Sequence, residues 1–236
     1  MAYMPLDKTR MYLDRNKMTR IYDLSHPWGV DTPLWPFPGP RQDLVFPRGQ
    51  YLGRFHKRTM TYTGTLHAGT HMDAPLHFGV NDTTIDRIPP DRFIADAWVI
   101  DAPAVSDSMM IGIGHLGDVK DRLAAGEGLL FRTGWHRFID AENYRTALPW
   151  IGRELARWCV EKKVKLIGVE PPSVAILTDM QELQAVHRIL LGGGVVLVEG
   201  LCNLERITQP KVKLIALPLK IEGGDGAPAR VIAIED

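Results

Sequence analysis

Residues 67 to 78, His67-Ala-Gly-Thr-His71-Met-Asp73-Ala-Pro-Leu-His77-Phe78, constrain the chain more than any other stretch. Three histidines and an aspartate fall within eleven positions. Neutral imidazole and carboxylate are the usual ligands of a hydrolytic metal. On a helix His67 and His71 would share a face, but Asp73 would lie about 240° from His67 at 100° per residue. On a strand all four side chains point the same way, because their positions are all odd. A straight strand still fails, since at about 3.3 Å per residue it separates His67 from Asp73 by roughly 20 Å. Two ligands of one ion must be a few ångströms apart, so the backbone has to bend. Gly69 and Pro75 sit where it can do so. The expectation is a strand running into His67, then a tight loop that folds the three ligands onto one ion. A lone histidine is more often a surface or satisfied core residue. Three of the chain's eight histidines beside Asp73 in one loop are not accounted for that way.

The remaining composition narrows the setting. At 236 residues the chain fits one domain with a substantial core. Lysines plus arginines equal aspartates plus glutamates, at 28 each, so there is no basic field for nucleic acid or an anionic membrane. The first ten residues hold no apolar core of signal-peptide length, and no apolar run reaches the eighteen or so residues of a membrane span. Cys159 and Cys202 make no disulfide framework. A cytoplasmic protein acting on a small molecule is the expectation.

Taken in order, residues 1–19 show no clean period and read as an N-terminal tail or an arm laid on a partner. The domain then spans 20–236. Arg20–Ser25 reads as the first strand. Residues 26–48 hold six prolines together with Trp28, Trp35 and Phe37. Such a stretch cannot pair as a central strand; it is either a surface loop or a rigid aromatic wall. Arg58–Leu66 alternates and leads to His67. Phe93–Asp101, Gly128–Thr133, Val164–Val169, Val195–Leu201, Val212–Ile221 and Ala229–Ile234 read as strands. Three helices are expected. One runs from Gly114 to Ala125. Another, amphipathic, runs from Pro149 to Lys162 and makes Cys159 a small core residue. The third starts at a capping box over Thr178–Gln181 and ends at Gly192-Gly-Gly194. Many short strands with three helices predict an α+β, or β-rich α/β, domain.

Val195-Val-Leu-Val-Glu199-Gly200 places a carboxylate in an otherwise apolar run. That is expensive unless the carboxylate is paired or bound to a metal. His187 lies late in the preceding helix, and the glycine triplet lets the strand fold back beside it. On chemistry alone the two side chains are either unrelated or share one point.

The His67–His77 stretch resembles the H-x-G-T-H-x-D-x-P-x-H signature of the cyclase family of metal-dependent hydrolases, which includes bacterial kynurenine formamidase and isatin hydrolase. Every fixed position is met. The resemblance implies a swivelling β/β/α-type fold and a homo-oligomer, dimer or tetramer. It implies that His67, His71 and Asp73 bind one metal, with Asp73 bridging to a second held by His187 and Glu199. It makes His77 the catalytic histidine. Zinc and manganese both suit such donors, as one or two ions per chain. The chain departs from the formamidase pattern at Trp35-Pro-Phe-Pro38 and at Glu170-Pro-Pro-Ser173.

A divalent metal lowers the pKa of its water to roughly 7, which makes a serine or cysteine nucleophile unnecessary. The resulting expectation is a hydrolase of an amide C–N bond in an aryl formamide or cyclic amide. Trp35, Phe37 and Phe78 favour a planar aromatic substrate, although aromatics are also ordinary core residues. A lactone or cyclic-ester hydrolase would use the same site. A non-catalytic metal-binding protein would predict a missing His77 or a broken ligand set.

Overall fold

The computed structural model describes residues 9–14, 17–29, 32–33 and 64–236. Trp35 and Phe37 lie outside the described residues, as do most of the proline-rich stretch and of the strand expected over 58–66. The strands are β1 (Thr9–Asp14), β2 (Lys17–Asp23), β3 (His71–Asp73), β4 (Ile94–Asp101), β5 (Met110–Ile111), β6 (Gly128–Arg132), β7 (Trp150–Ile151), β8 (Leu166–Val169), β9 (Val196–Glu199), β10 (Lys211–Pro218) and β11 (Gly226–Glu235). The α-helices are α1 (Val119–Arg122), α2 (Arg153–Glu161) and α3 (Met180–Gly192). This is the mixed α and β domain that the pattern predicts.

Nine strands form one sheet, in the order β1-β2-β11-β10-β4-β6-β8-β9-β3. β3 also pairs with β11, so the seven strands from β11 to β3 close into a ring. β4, β6, β8 and β9 run parallel, while β3, β10 and β11 pair antiparallel. β8 and β9 are buried along their whole length and β6 along all but its last residue, as strands covered on both faces are, whereas β4 buries alternate residues and exposes Ile94, Asp96 and Asp101. Leu130, Leu166, Val196 and Val198 join Met72, Leu214 and Val231 in one core. Leu129, Phe131, Ile167, Val169 and Leu197 join Leu155 and Cys159 of α2 and Val186 and Leu190 of α3 in the other.

Several expected boundaries move. The chain before His67 is irregular over 64–66, and the strand comes after the bend, at β3. The helix expected over Gly114–Ala125 is divided by Gly117 at φ +55° into a 3₁₀ turn, Ile113–Leu116, and α1. α2 begins at Arg153 because Trp150 and Ile151 pair with Met110 and Ile111 as a short parallel ladder. α3 is capped by Asp179, not Thr178; its carboxylate accepts the Gln181 and Glu182 amides at 2.9 and 3.1 Å. Thr9–Asp14 pairs antiparallel with Lys17–Asp23 at the edge of the sheet.

The turn after β9 is fixed by close backbone approach. Gly200 has φ +66°, and a Cβ there would run into the carbonyl of Gly69. Gly223 has φ +71° in open space. Gly200→Ala is therefore expected to cost more than Gly223→Ala. The second carries only the backbone strain of about 1–3 kcal/mol, whereas the first adds a backbone clash. Urea denaturation of both variants checks this; equal losses would contradict it.

Candidate metal centre

The closing strand β3 builds the site. His71 and Asp73 are alternate residues on one face of it, which brings both inward. His71 lies opposite Glu199 of β9, and Asp73 lies opposite Gly226 of β11. The cross-strand register thus delivers Glu199, a contact that no local spacing specifies. His187 reaches the same point from α3, and His67 arrives from the bend that precedes β3. Gly69, at φ +60°, makes that bend. Thr70 fastens it: its hydroxyl donates to the Gly200 carbonyl at 2.5 Å and accepts the His26 amide at 2.9 Å. After β3 the turn at Pro75 carries His77 and Phe78 back over the cluster, with the Val80 amide on the Pro75 carbonyl at 3.0 Å.

All five side chains are between 1% and 8% exposed. His67 Nδ1 is 2.9 Å from Asp73 Oδ1, and His71 Nε2 is 3.8 Å from the same oxygen. His187 Nε2 is 3.7 Å from Asp73 Oδ2 and 3.4 Å from Glu199 Oε1. His71 Nε2 is 3.2 Å from Glu199 Oε2. Asp73 therefore stands between two donor groups, His67 and His71 on one side, His187 and Glu199 on the other.

The ring atoms facing away are all held. His187 Nδ1 meets the Leu183 carbonyl at 2.7 Å, and His71 Nδ1 meets the Gly69 carbonyl at 3.0 Å. A carbonyl only accepts, so both Nδ1 atoms carry hydrogen and each Nε2 is turned inward as a donor of electrons. His67 Nε2 meets the Asp225 carboxylate at 3.1 Å. One nitrogen inward and the other fixed by an acceptor is the arrangement that orients a metal-ligating histidine. The donor set fits a divalent metal.

The electrostatics of the bare side chains agree. Burial pushes the His67 imidazole down, but the Asp225 and Asp73 carboxylates outweigh it and hold its pKa up at about 10. Burial likewise opposes charge on Asp73 and Glu199, yet both carboxyls are held below their ordinary range, Asp73 by His67 and Glu199 by His187 and His71. A bound divalent ion would take over this compensation from the protons.

His77 stands at the rim, its side chain 30% exposed, with Nδ1 2.9 Å from Asp225 Oδ2. Its ring stacks on His67 at 3.7 Å between centroids. Phe78 lies flat on His187 at 4.0 Å and edge-on to His77 at 4.7 Å. These residues, with Ser173, Leu177 and Leu183, line a cavity of about 300 Å³. The sequence reading missed Asp225. A single aspartate among three glycines reads as a linker, and its partners lie 148 and 158 residues away.

The Cyclase family model matches residues 22–175. The chain belongs to the cyclase family. A kynurenine formamidase of Bacillus cytotoxicus is 32% identical over 216 residues, covering 92% of this chain and 98% of that protein. Isatin hydrolase A from Ralstonia solanacearum superimposes with a TM-score of 0.80 at 26% identity, covering 92% of each chain. A structure from Bacillus stearothermophilus, described as a predicted metal-dependent hydrolase, superimposes with a TM-score of 0.71 at 26% identity, covering 92% of this chain and 99% of that one. The family signature now has a physical reading: two candidate ligands on a closing strand, and a glycine and a threonine that set the bend delivering a third.

A second acidic cluster, His136, Glu170 and Glu205, has a different occupation. Glu170 Oε2 accepts the backbone amides of Thr133, Gly134 and Trp135 and the Thr133 hydroxyl. Its other oxygen meets His136 Nδ1 at 2.9 Å. Glu170 thus ties together the Phe131-Arg-Thr-Gly-Trp135 turn. Its hydrogen bond raises the His136 pKa above the ordinary 6.5. A raised histidine stabilises the fold fully below its unfolded pKa, and that contribution fades as pH rises through the folded value. The stability advantage of the protein over a His136→Gln variant is expected to shrink as pH rises above the ordinary histidine value of about 6.5. Thermal melts below and above that value check it, and a constant difference would contradict it.

Proposed function

We propose that this cyclase-family chain is a metal-dependent hydrolase cleaving the amide C–N bond of an aryl formamide or a cyclic amide, compounds of the N-formylkynurenine or isatin kind. The observation that carries this reading is the convergence of His67, His71, Asp73, His187 and Glu199 with the histidine nitrogens already turned inward. The relatives named kynurenine formamidase and isatin hydrolase support the substrate class. His67, His71 and Asp73 would hold one ion, and Asp73, His187 and Glu199 a second. Imidazole and carboxylate suit zinc and manganese alike. A bound divalent ion supplies Lewis acidity and brings the pKa of water down to roughly 7.

The chain's own residues supply the rest. Hydrolysis adds water across the C–N bond, oxygen to the carbonyl carbon and hydrogen to the leaving nitrogen. Asp225 occupies His77 Nδ1, so Nε2 is the atom that takes a proton from the attacking water and passes it to the leaving nitrogen. Leu177, Leu183 and Phe78 give the cavity an apolar wall suited to an aryl face. No helix among the described residues is long and apolar enough to cross a membrane. Residence in the cytoplasm and self-association as a dimer or tetramer belong to the same proposal.

The test is turnover of N-formylkynurenine and isatin before chelation, after it, and after return of Zn²⁺ or Mn²⁺, with His77→Ala in parallel. Activity is expected to follow the metal. The His77→Ala variant is expected to keep its metal and lose about 10²–10⁴-fold in kcat. Full activity in verified metal-free protein would contradict the metal route. Loss of metal together with activity in His77→Ala would contradict the role of His77.

A further inference from the structure

We propose that Asp225 is a positioning residue that orients two histidines through one carboxylate, fixing His67 as a metal ligand and His77 as the proton donor. The inference rests on the hydrolase reading of the site and assigns a residue to it. The observation is a shared oxygen. Asp225 Oδ2 lies 3.1 Å from His67 Nε2 and 2.9 Å from His77 Nδ1. A carboxylate only accepts, so both ring nitrogens present hydrogen to it. The opposite nitrogen of each ring is thereby assigned its task. On His67 it is Nδ1, which faces Asp73. On His77 it is Nε2, on a ring that lines the cavity. The two rings lie nearly parallel, 21° apart, which lets one oxygen serve both edges.

The backbone explains why this aspartate is held there. The Asp225 carbonyl accepts the Ala74 amide at 2.8 Å, one residue beyond Asp73. Gly226 then pairs with Asp73 itself. A Cβ at Gly226 would stand 2.6 Å from both His67 Cε1 and the Met72 carbonyl, so only glycine lets β11 pass beneath the His67 ring. The strand that closes the ring thus sets the metal-facing carboxylate and its neighbour's orienting carboxylate in one register. An orienting carboxylate behind a ligand histidine typically changes metal affinity by about 10–100-fold. Behind an acid–base histidine it fixes the tautomer that the reaction needs.

A merely structural aspartate would weaken the fold without linking the two histidines, so the experiment reads the linkage. Asp225→Ala, the same-shaped Asp225→Asn, His77→Ala and the Asp225→Ala/His77→Ala double variant are prepared. Zn²⁺ affinity is measured by competition with a chelating dye. kcat on N-formylkynurenine and isatin is measured with metal saturating. Both Asp225 variants are expected to bind Zn²⁺ about 10–100-fold more weakly, with His77→Ala unchanged. With metal saturating, Asp225→Ala and His77→Ala are each expected to lose at least about 10²-fold in kcat. The double variant is expected to lose no more than the worse single one, because the two residues act as a unit.

Unchanged Zn²⁺ affinity in both Asp225 variants, or an additive loss of kcat in the double variant, would overturn the proposal. Should Asp225→Ala fail to fold, Asp225→Asn decides by the same affinity measurement and by its kcat with and without His77→Ala. A parent protein that binds Zn²⁺ and hydrolyses neither compound counts against the hydrolase reading alone. The affinity arm then still decides on Asp225.

Discussion

Two carboxylates and three imidazoles share one buried point, and the rest of the structure is arranged so that they do. Isolated charges in such a place would be prohibitive. Together they are tolerable, and with any one partner removed the remainder carries an uncompensated charge, typically at a cost of about 3–5 kcal/mol. The site is therefore a condition of the fold as well as its product. It lies where β3, a strand of only three residues, is inserted between β9 and β11 to close the ring. His71 and Asp73 are two of those three residues, so the ring closes through the very residues that face the metal position.

This placement explains the division of labour around the site. The parallel strands β6, β8 and β9 are buried on both faces and form a stiff wall. Their ends carry the polar residues: Glu199 at the end of β9 and Glu170 just past β8. Glu170 spends its charge on the turn at Thr133–His136, and Glu199 faces the cluster while accepting the Val174 amide at 2.7 Å. The more exposed groups, His77 and Asp225, sit on turns at the mouth of the cavity. Regular elements hold four of the five candidate ligands, and His77 with Asp225, the proposed proton donor and its positioning residue, lies on the loops that flank them.

The sequence carried the candidate metal loop in plain view, because His67, His71, Asp73 and the bend at Gly69 are local. Glu199 was legible for a different reason, as a carboxylate in an apolar run with no local partner. Its pairing with His71 was not legible, since it follows from cross-strand register between segments 128 residues apart. The closing strand escaped notice because three residues are too few to show an alternation. The start of α2 was misplaced because the ladder between β5 and β7 takes Trp150 and Ile151 out of the helical stripe. Asp225 left no signal at all: its role depends on contacts at long range, and its glycine neighbours read as a turn. Gly226 shows in hindsight what that glycine is for, the passage of a strand under an imidazole ring.

The central claim is that these five side chains hold a metal ion. Anomalous diffraction from crystals grown with Zn²⁺ or Mn²⁺, collected on both sides of the metal's absorption edge, tests it most directly. The account predicts an anomalous peak beside Asp73 within about 2.0–2.3 Å of its ligand atoms, from His67 and His71, from His187 and Glu199, or from both sets if two ions bind. A peak confined to His136, Glu170 and Glu205, or no peak at all from crystals shown to contain the metal in solution, would contradict it.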